Sequence, residues 1–352
     1  MRSTTLYVRA LQAALATLSL VGSVMAHDHP SENNPNIPPG TADNFDVYYN
    51  VCRGTDPRCY NDWVSTRENR VLIFSRTAGP RHANLGPKLA AGLNPPLAAG
   101  NVVQSALKTW LEAEGIAVDW TEDVTRLSNL NKYKAVIFAS PTRDALTAHG
   151  RQIDPAVAVN TTTSAQIDAA KTALRQYMRA GGGFVGIHNA FGTEYNWPYY
   201  EGLLGNANYY DHGANQDGTV VIVADDSSTK GLPKRWAYKD EWYNLMPFPT
   251  NVKFLATVDE NTLATKRTTH PGHGKFHPVT WCQYYDGGRS WVTTLGHDAG
   301  SFTDGSGFPG QPEFKKMLVN GIKSAMGLDP FCVVKQGGRD GSDDHDHGPG
   351  RK

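Results

Sequence analysis

Short continuous apolar runs alternate with amphipathic stretches along the central part of the chain. The runs, at residues 71–74, 134–140 and 184–187, are typical of strands covered on both faces of a sheet. Between them, one helix is predicted after a cap at Asn101 and another after a cap at Ser164, each with its apolar residues on one stripe. This order of elements predicts an α/β fold with a mostly parallel sheet and helices on both faces.

The later part of the chain adds four predicted strands, at residues 219–224, 251–258, 277–285 and 289–297, and a last helix at 312–326. The Asp-Gly-Gly turn between the third and fourth of these strands is typical of a hairpin. We therefore expect a small antiparallel addition to the parallel sheet.

Both ends of the chain differ in composition from its centre. Residues 1–26 have a basic start, an apolar run and small residues before Ala26, which predicts a cleaved signal peptide, with an uncleaved anchor as the alternative. Residues 27–69 are predicted to form a surface extension, 70–328 the main domain, and 329–352 a disordered tail rich in His, Asp and Gly. We expect a secreted or periplasmic protein without stable membrane insertion after cleavage.

Charge argues against one class of partner. The 352 residues carry 34 basic and 34 acidic side chains, and they contain no dense Lys/Arg tract. Because binding along a phosphate backbone needs clustered positive charge, we expect no nucleic acid partner. No nucleotide cofactor is expected either.

The four cysteines are interpreted in the light of export, because an oxidising compartment favours disulfides over free thiols. Cys52 and Cys59 are close in sequence, which favours a bridge between them and a second bridge between Cys282 and Cys332. Three pairings are possible in principle. The favoured pairing crosslinks the N-terminal extension and leaves no free cysteine for catalysis.

Histidines stand where several predicted parallel strands end. Arg81 and His82 follow the first strand, His188 follows the strand at 184–187, and His297 ends the last one. A single histidine at a strand end often only bonds a backbone carbonyl. Because ligands bind outside the carboxyl ends of parallel strands, three histidines at equivalent ends predict a common pocket.

Five segments in order resemble the ThuA-like (trehalose utilisation) family: RVLIFSRTAGPRH, YKAVIFAS, GGGFVGIHNAFGTEYNWPYYEGLLG, GLPKRWAYKDEWYNL and HPVTWCQYYDGGRSWVTTLGHD. The resemblance spans residues 70–327 and implies the flavodoxin-like fold of the class I glutamine amidotransferase-like superfamily. It also implies a role in sugar catabolism, with substrates handled as 3-keto derivatives. The chain departs from the family pattern in extra residues at 86–100 and 146–163 and in its N-terminal extension.

The resemblance implies that glutaminases are relatives of this chain. The residue after the strand at 184–187 differs from theirs. In those enzymes a cysteine at this elbow attacks an amide, whereas here the residue is His188 and no thiol replaces the missing one. Amidotransferase activity is therefore excluded. We expect His188, with His82 and His297, to hold a divalent transition metal such as zinc or manganese, or to act in acid-base catalysis.

The DEWY segment provides candidate carboxylates, since neighbouring acids in an aromatic setting acquire different proton affinities. With the family resemblance, Glu241 is predicted as the catalytic base, beside catalytic roles for His82, His188 and His297. Residues predicted to bind substrate combine aromatic rings, which stack on sugars, with polar groups: Arg81, Asp240, Tyr195, Trp197, Trp242 and Tyr243.

Other histidines are weaker candidates. His212 follows the elbow loop and is a candidate for the same pocket. His270, His273 and His277 predict a flexible loop on the substrate side in preference to a second metal site. The HDH and DHDH segments near the two ends resemble loose metal-collecting stretches.

These features predict an exported lyase or hydrolase that cleaves 3-keto-glycosides or related disaccharides with the help of a metal. Its carbohydrate substrate would come from a partner sugar 3-dehydrogenase. One alternative is a secreted module that binds sugar without reacting. Another is a conventional glycoside hydrolase with two carboxylates. That alternative needs a third acid such as Glu194, because Asp240 and Glu241, adjacent on a strand, point to opposite faces.

Overall fold

A short N-terminal hairpin pairs with the end of an interior strand of a large sheet. The computed structural model describes residues 44–63, 66, 68–146, 163–265 and 269–333. Strand β1 (Phe45–Asp46) pairs antiparallel with β2 (Val51–Gly54), and β2 in turn pairs with the end of β10 (His277–Tyr285). This part of the predicted extension therefore contributes a strand to the main sheet.

Five strands form the parallel half of the sheet. They are β3 (Arg70–Phe74), β4 (Ala117–Thr121), β5 (Ala135–Ala139), β6 (Gly183–Ile187) and β11 (Gly288–Thr293), in the spatial order β4-β3-β5-β6-β11. β5 and β6 are buried along their whole length, as continuous apolar runs in a covered parallel sheet should be. Their carboxyl ends lie at one edge, which is where the predicted histidines follow.

The other half of the sheet is antiparallel, so the prediction of a mostly parallel sheet with a small addition is not confirmed. Beyond β11 the order continues with β10, β9 (Lys253–Val258), β7 (Tyr209–Ile222) and β8 (Arg235–Leu245), all paired antiparallel. The segments that connect β7, β8 and β9 contain no α-helix, whereas parallel strands need a long crossover, usually helical. The sheet is therefore mixed.

In the described part of the chain, four α-helices cover the sheet: α1 (Val102–Ala113), α2 (Ser164–Arg179), α3 (Pro198–Leu203) and α4 (Gln311–Ala325). α1 and α4 pack with the inward side chains of one face of β3, and α2 and α3 pack on the other face. The predicted cap of α2 is shifted by one residue, because Thr163 accepts from the N–H of Gln166 and Ser164 is already helical. Asn101 does precede α1, but its side chain bonds the loop at Leu85 and Pro87.

Two disulfides link strands β2 and β10 to segments near the two ends of the described chain. Cys52 pairs with Cys59 and Cys282 with Cys332, the pairing that sequence proximity favours. No helix of the described residues is long and apolar enough to cross a bilayer. The predicted signal peptide, the HDH and DHDH segments and most of the insertion at 146–163 lie outside the described residues.

Candidate functional site

His188 occupies a sharp turn at the carboxyl end of β6. Its φ of 51° lies in the left-handed region, which few residues other than glycine adopt without strain. A 3-10 helix, His188–Gly192, begins at the same residue. The backbone therefore turns away while the imidazole, which is fully buried, stays at the edge of the sheet.

The two ring nitrogens of His188 have different surroundings. Nδ1 lies 2.8 Å from the carbonyl oxygen of Thr294, so it carries the proton and donates. The unprotonated Nε2 lies 2.8 Å from the hydroxyl of Tyr243 and 3.2 Å from Nε2 of His82. One lone pair of His188 therefore faces both a phenol and a second imidazole.

Glu241, on β8, brings a carboxylate to the same place. Its Oε2 lies 3.1 Å from Nδ1 of His297, 3.6 Å from Nε2 of His212 and 3.8 Å from Nε2 of His188. The structure thus joins a residue from the antiparallel half of the sheet to histidines that follow the parallel strands. His212, a weaker candidate in the sequence, is part of this environment.

The donor set fits a transition metal ion. Ligand atoms of His82, His188, Glu241 and His297 all lie within 4.8 Å of one another, and we call these four residues the ligand cluster. Two nitrogens bound to one tetrahedral zinc ion are about 3.3 Å apart, close to the 3.2 Å between His82 and His188. Nδ1 of His297 lies 3.1 Å from Oε2 of Glu241, so the third imidazole and the carboxylate reach the same place. The spacing and the mixed set of nitrogen and oxygen ligand atoms both favour an ion in the cluster.

Burial keeps two of the imidazoles neutral, as metal ligands must be. Burial lowers the pKa of His82 to about 4 and that of His188 well below its usual range, and the neighbouring histidines add to both shifts. Glu241 and His297 each favour the charged form of the other, and His297 would have to lose its proton to bind a metal ion. Burial opposes their ionisation, but their mutual hydrogen bond and attraction outweigh it, so the pKa of Glu241 is lowered and that of His297 is raised.

Asp240, predicted to bind substrate, lies behind the site and supports it instead. Its fully buried carboxylate accepts from the backbone N–H groups of Gly296 at 2.7 Å, Glu241 at 2.8 Å and His297 at 3.3 Å. Burial raises the pKa of Asp240 to about 8, and these donors oppose the rise. Asp240 therefore fixes both Glu241 and His297 and has no room to contact a substrate.

The other predicted substrate-binding residues do not all reach the ligand cluster. Arg81 is turned away, because its guanidinium bonds the carboxylate of Glu122 at 2.7 Å and carbonyl oxygens of its own loop. Trp242 packs in the core on the opposite face of β8 from Tyr243. Trp197 stacks on Tyr199 and Tyr200.

Two predicted aromatic residues do border the site. The hydroxyl of Tyr243 bonds His188, and the ring of Tyr209 lies 4.5 Å from that of Tyr243. The hydroxyl of Tyr195 donates to the carbonyl oxygen of Tyr209 at 3.2 Å. These side chains form a wall of rings beside the cluster.

Asn84 is a supporting residue that the sequence did not indicate. Its side-chain amide donates to the carbonyl oxygens of Gly296 at 3.1 Å and His297 at 2.7 Å. It thereby ties the loop of His82 to the loop of His297. A single asparagine in a polar loop has no distinctive pattern, so only the structure reveals this contact.

Comparison with known proteins places this geometry in a family. A family model described as ThuA, trehalose utilisation, matches residues 70–325, whereas none of the curated proteins matches the sequence. The crystal structure of a ThuA-like protein from Bacteroides uniformis ATCC 8492 aligns with a TM-score of 0.51 and 19% identity, over 76% of this chain and 95% of that one. A ThuA-like protein from Parabacteroides merdae ATCC 43184 gives 0.50 and 17%, over 77% and 93%. At these identities the likeness is one of fold.

Proposed function

The chain belongs to the ThuA family of trehalose utilisation, and on this premise we propose that it is an exported, metal-assisted enzyme that cleaves 3-keto-glycosides. The observation that carries the proposal is the convergence of three imidazoles and a carboxylate at the carboxyl edge of the parallel strands. Histidine nitrogen and carboxylate oxygen together suit zinc or manganese. In this proposal His82, His188 and His297 hold the ion, and Glu241 stands beside it.

Glu241 is the proposed base. A ketone at C3 of the sugar makes the proton on C2 acidic, and a bound divalent ion would stabilise the negative charge that develops on the ketone oxygen. Because the pKa of Glu241 is lowered by His297 in spite of burial, the side chain is a carboxylate ready to accept that proton. Its Oε1 makes no hydrogen bond to any described residue, which leaves that atom available.

The reaction proposed is an elimination. As the C2–H bond breaks, its proton goes to Glu241 and its electrons form a C2–C3 double bond, which places a negative charge on the C3 oxygen. As the C3 carbonyl forms again, these electrons shift to a C1–C2 double bond, and the C1–O bond breaks with its electron pair. The departing oxygen takes a proton from water while Glu241 returns its own proton to solvent. Addition of water to the double bond would complete a net hydrolysis.

The carboxylates of the site favour this chemistry over a conventional two-acid glycosidase. Asp240 is occupied by three backbone N–H groups. Glu194 accepts from the backbone N–H of Leu146 at 2.7 Å and pairs with Lys171 at 3.2 Å. Neither is free to act opposite Glu241 as the acid that such a mechanism requires. All four cysteines are in disulfides, which supports the exclusion of amidotransferase chemistry.

Export and a preceding oxidation complete the proposal. The two disulfides suit an oxidising compartment, in keeping with a signal peptide at 1–26. Since the base needs an acidified C2 proton, a sugar 3-dehydrogenase must act before this protein does.

The test compares a 3-keto-disaccharide with its unoxidised parent, using the full chain loaded with zinc or manganese and following release of the reducing sugar. We expect the wild-type protein to cleave the keto sugar alone, and Glu241→Gln to cleave it about 10²–10⁴-fold more slowly. Cleavage of the parent would indicate the conventional glycosidase. Binding of both sugars without cleavage would indicate the non-catalytic module.

A further inference from the structure

Arg143 lies in the loop after β5, at the same edge of the sheet as His188. Its φ is 57°, in the left-handed region. The backbone is held there on both sides: the N–H donates to Gly192 at 2.8 Å, and the carbonyl oxygen accepts from Ala145 at 2.8 Å and Glu194 at 3.0 Å. A non-glycine residue in this conformation needs such surrounding restraint.

The stem of Arg143 runs against the loop that carries His82. A Cβ added to Gly79 would lie 2.4 Å from Cγ of Arg143, so the stem occupies the space that a side chain at position 79 would fill. Thr142 fastens the two loops, because it accepts from the backbone N–H groups of Ala78 at 2.9 Å and Gly79 at 3.1 Å. The direction of Arg143 is therefore fixed by packing.

The guanidinium of Arg143 has no hydrogen bond, ion pair or ring contact among the described residues, and the side chain is exposed. Every other described arginine contacts a carboxylate, a carbonyl oxygen or an aromatic ring. Arginine carries a rigid fork of donors that matches carboxylate and phosphate groups. A cation that is restrained by its backbone and stem, and that has no partner among the described residues, is suited to a ligand.

The segment that follows His188 connects Arg143 with the ligand cluster. The backbone of Arg143 bonds that of Gly192, the last residue of the 3-10 helix that begins at His188, and that of Glu194, which directly precedes Tyr195. Tyr195 bonds the backbone of Tyr209, whose ring packs on Tyr243, and Tyr243 bonds His188. Arg143 thus lies at the same edge of the sheet as the ligand cluster, with its backbone bonded to the segment that follows His188.

We infer that Arg143 binds the anionic group, a carboxylate or a phosphate, of an acidic sugar whose reacting end lies at the ligand cluster. This inference rests on the proposed carbohydrate function and narrows it to a substrate class. Neutral sugars would lack the partner that matches the guanidinium. A charge-assisted, bidentate contact adds both affinity and orientation.

The experiment measures binding of D-glucuronate, D-glucose 6-phosphate and D-glucose to the full chain by calorimetry. Arg143→Gln keeps an unbranched stem and removes the charge, and Arg143→Lys keeps the charge without the fork. Arg235→Gln is the matched control, since Arg235 begins β8, is exposed and pairs with Asp259. We expect at least one acidic sugar to bind about tenfold or more tightly than glucose, and the preference to vanish in Arg143→Gln, weaken in Arg143→Lys and persist in Arg235→Gln.

The two acidic probes distinguish a carboxylate from a phosphate as the group recognised. Equal binding of all three sugars, no binding of either acidic sugar, or a preference that survives Arg143→Gln would overturn the inference. Metal content measured on the same preparations distinguishes failure of this inference from failure of the proposed metal-assisted function. If the wild-type protein bound no metal but still preferred acidic sugars through Arg143, the proposed metal-assisted catalysis would be contradicted and the acidic-sugar site would be supported.

Discussion

Two groups of three histidines and one glutamate lie in this molecule, and the protein uses them differently. One is the ligand cluster. The other, which we call the loop cluster, consists of His270, His273, His277 and Glu260, with ring centroids of successive histidines 4.8 Å apart. Composition and proximity are therefore similar in the two groups.

The difference lies in what the ring nitrogens contact. In the loop cluster, His277 uses Nδ1 for Glu260 and Nε2 for the carbonyl oxygen of Tyr243, and His273 accepts from the N–H of Leu245. In the ligand cluster, Nε2 of His82 and Nε2 of His188 face each other at 3.2 Å, and Nδ1 of His297 lies 3.1 Å from Oε2 of Glu241. Ring nitrogens that bond separate backbone and carboxylate groups hold a loop, whereas ring nitrogens that converge with a carboxylate favour a metal ion.

The largest expected effect comes from replacing His188. His188→Asn should keep the fold, because asparagine tolerates the left-handed backbone, but it removes a central ligand. Metal affinity should fall by more than the about 10–100-fold that loss of an outer partner costs, as measured by chelator competition. His277→Asn, in the loop cluster, is the matched control and should leave metal affinity unchanged. An equal loss of metal affinity in both variants would show that the ligand cluster and the loop cluster do not differ in metal binding.

Replacing the base should separate chemistry from metal binding. Glu241→Gln keeps the shape of the side chain and removes its charge, so kcat on the 3-keto substrate should fall by about 10²–10⁴-fold. The three imidazoles should still retain metal, checked by elemental analysis. Unchanged kcat would show that Glu241 is not the base.

The loop cluster should instead contribute stability. His277→Asn leaves the carboxylate of Glu260, whose side chain is 4% exposed, without its imidazole. We expect the free energy of unfolding in urea to fall by about 3–5 kcal/mol. The double variant His277→Asn/Glu260→Gln should recover part of this loss, since removing both partners costs less than removing one. No loss in the single variant would contradict the structural role.

The smallest expected effect is a pH dependence of stability. Burial lowers the pKa of His273 to about 4, and the neighbouring histidines add to the shift. Between about pH 6.5 and 4 the folded state therefore binds fewer protons than the unfolded state, and stability falls as the pH falls through this window. Between about pH 7 and 4.5, the free energy of unfolding of His273→Gln should fall by about 1–2 kcal/mol less than that of the wild type. This figure allows for the partial exposure of His273. Identical urea-unfolding pH profiles for the two proteins would contradict this.

The parallel half of the fold, with the His188 elbow, is predictable because each strand is a continuous apolar run whose signal is local. The bounds of β8 were not predicted, although Asp240 and Glu241 were expected on a strand, and β7 begins at Tyr209 instead of residue 219. The first part of β7 is largely polar and its pairing with β8 contains register shifts, so the position of each strand depends on the other. The contact of Arg81 with Glu122, which turns Arg81 away from the ligand cluster, could not be predicted for a similar reason. Glu122 lies 41 positions away in the sequence.

The central claim is that the ligand cluster holds a metal ion. Crystals of the full chain soaked in zinc or manganese, with data collected at the absorption edge of the metal, test it directly. The account predicts an anomalous peak about 2.0–2.2 Å from the nearest nitrogens of His82, His188 and His297, and none at the loop cluster. An empty ligand cluster in saturating metal, with the two imidazoles of His82 and His188 still in contact, would contradict it.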